Sequence, residues 1–235
     1  MKKLYFDHQA GMPIDDRVLQ TMMPFFLQYF GNSSSIHSFS IDVKKILESA
    51  RAQVAELVGT EKKDNIIFTS GPTESNNLAL RGVALRNKDK GTHIITSKIE
   101  HISIHNICKY LEKQGFEISY LPVDNHGIVD IEDLKQTITN RTILISIMYA
   151  NGEIGTIQPI KEISEIAHKH NAYLHVDGTA AVGKIPVAVE KENIDLLTIS
   201  SNDMYGPKGM GAIYIKDGTR IVPIIYGGGQ ERGLR

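Results

Sequence analysis

Hydrophobic and polar positions along this chain follow two rhythms that replace one another repeatedly. Over residues 41–58, Val43, Ile46, Leu47, Ala50, Val54, Leu57 and Val58 recur at the spacing of one helical face, and Gly59 supplies a C-terminal stop. Residues 14–30 carry Val18, Met22, Phe25 and Phe26 at similar spacing. This predicts a helix packed on something larger, after a short strand near residues 4–6 and before the polar loop of residues 31–38. From there β-rich runs and helical stretches alternate: strand 65–69, helix 73–86, strand 93–97, helix 102–114, strand 117–121, helix 131–139, strand 142–148, helix 160–170 and strand 172–176. Such alternation implies βαβ crossovers and a mostly parallel sheet covered on both faces. The run Ile143, Leu144, Ile145, Ile147, Met148 agrees, since a strand buried on both sides need not alternate. Strand 194–199 is followed by apolar runs at 211–215 and 221–225, which predict a closing hairpin and therefore a mixed sheet.

Composition narrows the class. With 235 residues, 41% of them hydrophobic, a single α/β domain spanning residues 1–235 is expected. The balance of 26 Lys+Arg against 27 Asp+Glu, a net charge of −1, argues against an electrostatic nucleic-acid binder and leaves small molecules or proteins as partners. One cysteine, Cys108, excludes an intrachain disulfide framework; in helix 105–114 it is expected to pack as a small hydrophobe. Only a three-residue apolar run precedes Asp7, and nowhere do about eighteen apolar residues run together. The expectation is a cytoplasmic protein with no membrane span.

Candidate chemistry lies in loops that come after the strands. Residues 198–209, TISSNDMYGPKG, run from a buried strand through polar residues into a Gly-Pro-Lys-Gly turn, at the sheet edge where open α/β folds bind ligands. The stretch Ser70-Gly71-Pro72-Thr73-Glu74 opens a helix; it is either an ordinary capped start with proline in the first turn or an anion site on the helix N-terminus. His101, after strand 93–97, could stack on or titrate a ligand, or be structural. Asp177 ends another buried strand and could pair with a cationic ring nitrogen or a metal, or cap the short helix after it. The loop Asn151-Gly152-Glu153-Ile154-Gly155 joins the same edge.

Taken in order, YFDHQAGMP, FGNSSSIHSF, FTSGPTESNNLAL, HIITSKIEH, YLPVDNHGIVD, ILISIMYANGEIGTIQPI, HVDGTAAVGKIP, YGPKGMGAIYI and GGGQERGLR closely resemble the cysteine desulfurases of the NifS/IscS type, in the class V aminotransferase group of fold-type-I pyridoxal-phosphate enzymes. The resemblance implies the large domain of such an enzyme: a seven-stranded, mostly parallel sheet with one antiparallel strand and helices on both faces, working as a homodimer. It implies pyridoxal 5′-phosphate as cofactor and L-cysteine as substrate, with sulfur passed on for iron–sulfur cluster assembly and an iron–sulfur scaffold protein as partner. Carried over by position, His101 stacks on the pyridine ring, Asp177 meets the ring nitrogen, Thr73 and Ser200 hold phosphate, and Asn151 and Asn202 fall at cofactor-contacting positions.

Departures from the family pattern are concentrated in one pocket. Where the family has His-Lys, the lysine forming the Schiff base, this chain has Asn202-Asp203, so the catalytic lysine position holds a carboxylate that cannot form an imine or act as the amine base. Pro72 lacks the N–H that a small residue would offer to phosphate, Ala180 replaces a glutamine that bonds the ring hydroxyl, and Gly152 replaces an asparagine. Each loss costs on the order of 1 kcal/mol, so the cofactor is expected to bind non-covalently and weakly. Neither Lys184 nor Lys208 is expected to substitute, being usual family lysines, and Lys98 is expected at the surface. The family's small C-terminal domain, which carries the sulfur-accepting cysteine, is expected to be absent from these 235 residues. The resulting expectation is a desulfurase-like protein with disabled or altered chemistry. The alternatives are a non-catalytic scaffold or dimerisation module, or a related class V aminotransferase or selenocysteine lyase.

Overall fold

In the computed structural model, which describes residues 3–235, the apolar runs assemble into one sheet of seven strands: β1 (Ile66–Thr69), β2 (His93–Ser97), β3 (Glu117–Leu121), β4 (Thr142–Met148), β5 (Tyr173–Asp177), β6 (Leu196–Ser200) and β7 (Gly211–Ile215). Their order is β1-β7-β6-β5-β4-β2-β3. Every neighbouring pair from β3 to β6 is parallel, and β7 runs antiparallel between β6 and β1. This is the mixed sheet expected from the sequence, with β6 and β7 as its antiparallel neighbours.

Helices cover both faces, as near-continuous apolar strands require. On one face α3 (Pro72–Arg86) and α4 (Ile102–Lys113) bury Leu78, Val83, Ile104, Ile107 and Leu111 against Ile94, Leu144 and Ile213. Cys108 belongs to this layer, and burial pushes its thiol up to about 12, so it packs as a small hydrophobe. On the other face α5 (Ile131–Thr137), α6 (Ile160–Lys169) and the end of α2 (Ser38–Leu57) bring Leu134, Ile163, Ala167, Ala55 and Val58 against Ile95, Ile145 and Val176. Each fully buried Ile or Leu contributes roughly 1.5–3 kcal/mol relative to exposure. Gly59 has φ +74 and ends α2 in the left-handed conformation that the sequence signalled.

Two expectations fail for identifiable reasons. Residues 4–6 form no strand and leave Leu4 and Phe6 exposed, and α1 (Asp16–Leu27) buries none of its residues, so the apolar face with Phe25 and Phe26 meets no covering layer. Residues 221–225 form no strand either, because both edges of β7 are already taken by β6 and β1. Ile221 instead packs on α3, where a Cβ on Gly82 would lie 2.7 Å from its Cγ1, and the Val222 N–H donates to the Gly82 carbonyl at 3.2 Å. A terminal turn then docks on β1: Glu231 takes a bidentate ion pair from buried Arg51 at 2.8 and 2.9 Å and accepts the Phe68 N–H.

Candidate functional site

The carboxyl ends of β4, β5 and β6 and the loop after β2 enclose a cavity of about 310 Å³. Its walls include Gln9, Pro72, Glu100, His101, Asn151, Asp177, Ala180, Asn202 and Asp203, so the polar loops singled out in the sequence do converge there. A larger hollow of about 540 Å³ lies at the opposite edge, by Thr142 and Tyr173, and contains none of those residues.

One wall carries a hydrogen-bond chain, although Asn76 Oδ1 and Thr179 Oγ1 within it are buried without a partner among the described residues. The β ladder places Asp177 opposite Met148 and Thr198, and its carboxylate is buried. Oδ2 accepts from Asn76 Nδ2 at 2.9 Å, and Oδ1 accepts from the Thr179 N–H at 3.0 Å. The same Asn76 amide donates to Ser103 Oγ at 3.1 Å, and Ser103 Oγ lies 2.7 Å from His101 Nδ1. His101 is the N-cap of α4, and its Nδ1 accepts the Ser103 N–H at 3.1 Å, which assigns the proton of the neutral ring to Nε2. Beneath them His175 lies fully buried between Ser146 Oγ (2.9 Å) and Thr198 Oγ1 (3.1 Å), and burial lowers its pKa to about 4. It is therefore neutral at pH 7.

Glu100 is a third buried acid at the cavity. Its Oε1 accepts from Ser97 Oγ at 2.6 Å and from the Met148 N–H at 3.0 Å, whereas Oε2 is buried without a partner among the described residues. Burial, with the negative charge of Asp177 adding to it, raises this carboxyl to about 8, so the protonated form prevails at neutral pH.

The facing wall is open. Asp203 sits in a single 3-10 turn, Asn202–Met204, directly after β6. It is buried, yet no hydrogen bond reaches its carboxylate among the described residues; Lys184 Nζ stands 4.0 Å away. Asn202 Oδ1 is also buried without a partner. Pro72 begins α3 at the cavity and has no N–H to offer. A Cβ on Gly152 would lie 2.1 Å from Gln9 Nε2, so the Gln9 amide fills the space a larger residue at 152 would take. Asn151 Oδ1 accepts the Glu153 and Ile154 N–H groups, so that side chain organises its own loop besides lining the cavity.

Of the residues expected at the site, His101, Asn151, Asp177, Asn202 and Asp203 line the cavity. Thr73 is exposed on the first turn of α3, Ser200 is buried at the end of β6, and neither lines it. Lys98 is exposed and outside it, and no lysine is among the lining residues. Sequence reasoning passed over Glu100, Asn76, Ser103 and Gln9. Asn76 left a signal: it shares a helical stripe with buried Leu80 and Val83, and a polar side chain on an apolar stripe needs a partner.

The chain is 54% identical over 231 residues to cysteine desulfurase IscS 1 of Archaeoglobus fulgidus, an alignment covering 98% of this chain and 60% of that protein. A solved NifS-like protein superposes with a TM-score of 0.96 at 42% identity, covering all of this chain and 64% of the other. A solved SspA in complex with cysteine superposes at 0.94 with 38% identity, covering 98% and 67%. The chain thus spans about three fifths of the length of the curated relative. Residues 4–233 match the profile of the family described as Aminotransferase class-V, and the chain belongs to that family.

Proposed function

We propose that the chain is the large domain of a cysteine desulfurase-like protein, of the class that converts L-cysteine to L-alanine and supplies sulfur for iron–sulfur cluster assembly, in which the desulfurase chemistry is disabled. The observation that carries this reading is Asp203, a buried carboxylate in the wall of a cavity that no lysine lines. The desulfurase name of the relative supports the class, as does the solved relative bound to cysteine.

Pyridoxal 5′-phosphate fits half of this cavity. Asp177, held by Asn76 and Thr179, offers a fixed carboxylate to a protonated ring nitrogen, and His101, pinned as the α4 cap, offers an imidazole beside it. The group would supply an electron-withdrawing ring. The other half does not fit its covalent attachment: a carboxylate at 203 forms no bond to an aldehyde, and Pro72 gives no N–H to a phosphate. Binding is therefore non-covalent and weak, through His101, Asn151, Asp177 and Asn202, with Thr73 and Ser200 outside the cavity, and the chain has no amine at 203 to move a proton from the substrate. The assay is sulfide release from L-cysteine by the protein with pyridoxal phosphate. We expect none above the protein-free rate; release that saturates with cysteine overturns the reading. The double variant Asn202→His with Asp203→Lys is expected to gain the visible absorption of a lysine-bound cofactor.

Exposed apolar side chains favour a second reading, a non-catalytic scaffold or dimerisation module. Phe6, Phe26, Phe30 and Ile36 are each at least 65% exposed, a surface that a second copy would cover in a homodimer. Sedimentation showing a monomer at micromolar concentration removes it. No described helix is long and apolar enough to cross a membrane, which is compatible with a cytoplasmic protein docking an iron–sulfur scaffold.

A further inference from the structure

Loss of a lysine does not by itself explain an aspartate. A small or apolar residue would disable the position equally, without placing at the cavity wall a carboxyl group that takes no hydrogen bond from the described residues. Asp203 is only 6% exposed, lines the cavity and receives no hydrogen bond among the described residues. Lys184 Nζ, at 4.0 Å, is too far to donate one, and its side chain is 34% exposed. The carboxylate's capacity is thus left for something on the cavity side. Next to it, Asn202 Oδ1 is buried without a partner among the described residues and is closed off from the cavity.

The turn that carries them is held firmly. Gly183 has φ +80, and a Cβ there would lie 2.8 Å from both Cγ and Sδ of Met204, so the loop after β5 packs directly on the turn. The Ser201 carbonyl accepts the N–H groups of Met204 and Gly206, and Tyr205 closes the turn at φ 60. A carboxylate on a fixed turn, with no hydrogen-bond donor among the described residues, calls for a ligand group that brings donors and a positive charge. A primary ammonium has three donors and no acceptor; an aldehyde has only an acceptor and would face the acceptors of Asp203.

We propose that the cavity selects the aminomethyl form, pyridoxamine 5′-phosphate, over pyridoxal 5′-phosphate, with the ligand's ammonium taken by Asp203. The inference rests on the reading of the cavity as a site for this ring, and it turns the aspartate from a lesion into a recognition element.

The test is equilibrium dialysis or calorimetry of the 235-residue protein with pyridoxamine 5′-phosphate, pyridoxal 5′-phosphate and 4-deoxypyridoxine 5′-phosphate, which has neither amine nor aldehyde. The expected order of affinity is amine, then methyl, then aldehyde, with amine over methyl by at least about tenfold, equivalent to about 1.4 kcal/mol. In Asp203→Asn, checked for folding by circular dichroism, that ratio should fall to about threefold or less. Equal or tighter binding of the aldehyde or methyl compound overturns the proposal and leaves the cofactor-site reading standing. Binding of none of the three overturns both. An unchanged ratio in folded Asp203→Asn also overturns it.

Discussion

Asp177 and Asp203 are both buried carboxylates at the carboxyl edge of one sheet and face the same cavity, but they are held in opposite ways. Asp177 ends a strand whose ladder fixes its backbone, and each of its oxygens takes a hydrogen bond from the chain, at 2.9 and 3.0 Å. Asp203 ends no ladder, sits in a single turn and receives no hydrogen bond among the described residues. Folding alone accounts for the first arrangement, because the donors it satisfies would otherwise be orphaned. It does not account for the second, since a carboxyl group that takes no hydrogen bond from the described residues adds nothing to the fold.

The largest effect should come from breaking the satisfied wall. Asp177→Ala leaves fully buried Asn76 with an unanswered amide hydrogen and strips the Thr179 N–H of its acceptor. We expect a loss of about 3 kcal/mol in urea unfolding, together with loss of pyridoxamine phosphate binding. A change below about 1 kcal/mol would mean that the chain from Asp177 to His101 is not formed as described.

Glu100 combines both conditions in one side chain, with Oε1 bonded and Oε2 not. Its pKa rises on folding from 4.5 to about 8 through burial, so between those values the folded state keeps a proton that the unfolded chain has released. Stability therefore falls as pH rises through that window. His175 has the opposite slope: its pKa drops on folding from 6.5 to about 4, so stability is gained as pH rises between those values. Below pH 6.5 the two offset one another, and above it Glu100 acts alone. The wild type should lose about 2 kcal/mol between pH 6.5 and 8. Glu100→Gln keeps an acceptor for Ser97 and Met148 but does not titrate, and should be flat there by chemical denaturation at each pH.

Relieving the open wall should work in the other direction. Asp203→Asn removes a buried charge that has no hydrogen bond to lose, so we expect stability to rise by about 1 kcal/mol. A loss of similar size would show Asp203 to be satisfied within the fold, and the contrast with Asp177 would fail.

Much of this was legible in the sequence, and the limits are physical. Each strand from β1 to β7 was predicted to within two residues at either end, because a sheet covered on both faces imposes long apolar runs. The cavity's edge residues were legible for the same reason: a polar residue directly after such a run, as at Asp177 or Asn202, is at the carboxyl edge wherever the strand lies. What could not be read was pairing across the sheet. Asn76 reaches Asp177 across 101 positions because α3 and α4 pack side by side over the strands, and nothing local to either residue encodes that. The apolar stripe of α1 was read as a helix packed on something larger, but periodicity says only that a face needs cover and not that the chain supplies it.

The smallest expected effect concerns Lys184, the cation nearest the open wall. Its Nζ is 4.0 Å from Asp203, and its side chain is 34% exposed, so solvent screens the pair and the ammonium forms no hydrogen bond with the carboxylate. Lys184→Met should therefore change unfolding stability by less than about 0.5 kcal/mol, and in combination with Asp203→Asn the two changes should add within about the same margin. A loss above about 1.5 kcal/mol, or a coupling of that size in the double variant, would mean that Lys184 serves Asp203 as Asn76 serves Asp177. Both walls would then be closed by the chain itself, and the aspartate would have no unmet demand for a ligand's ammonium to satisfy.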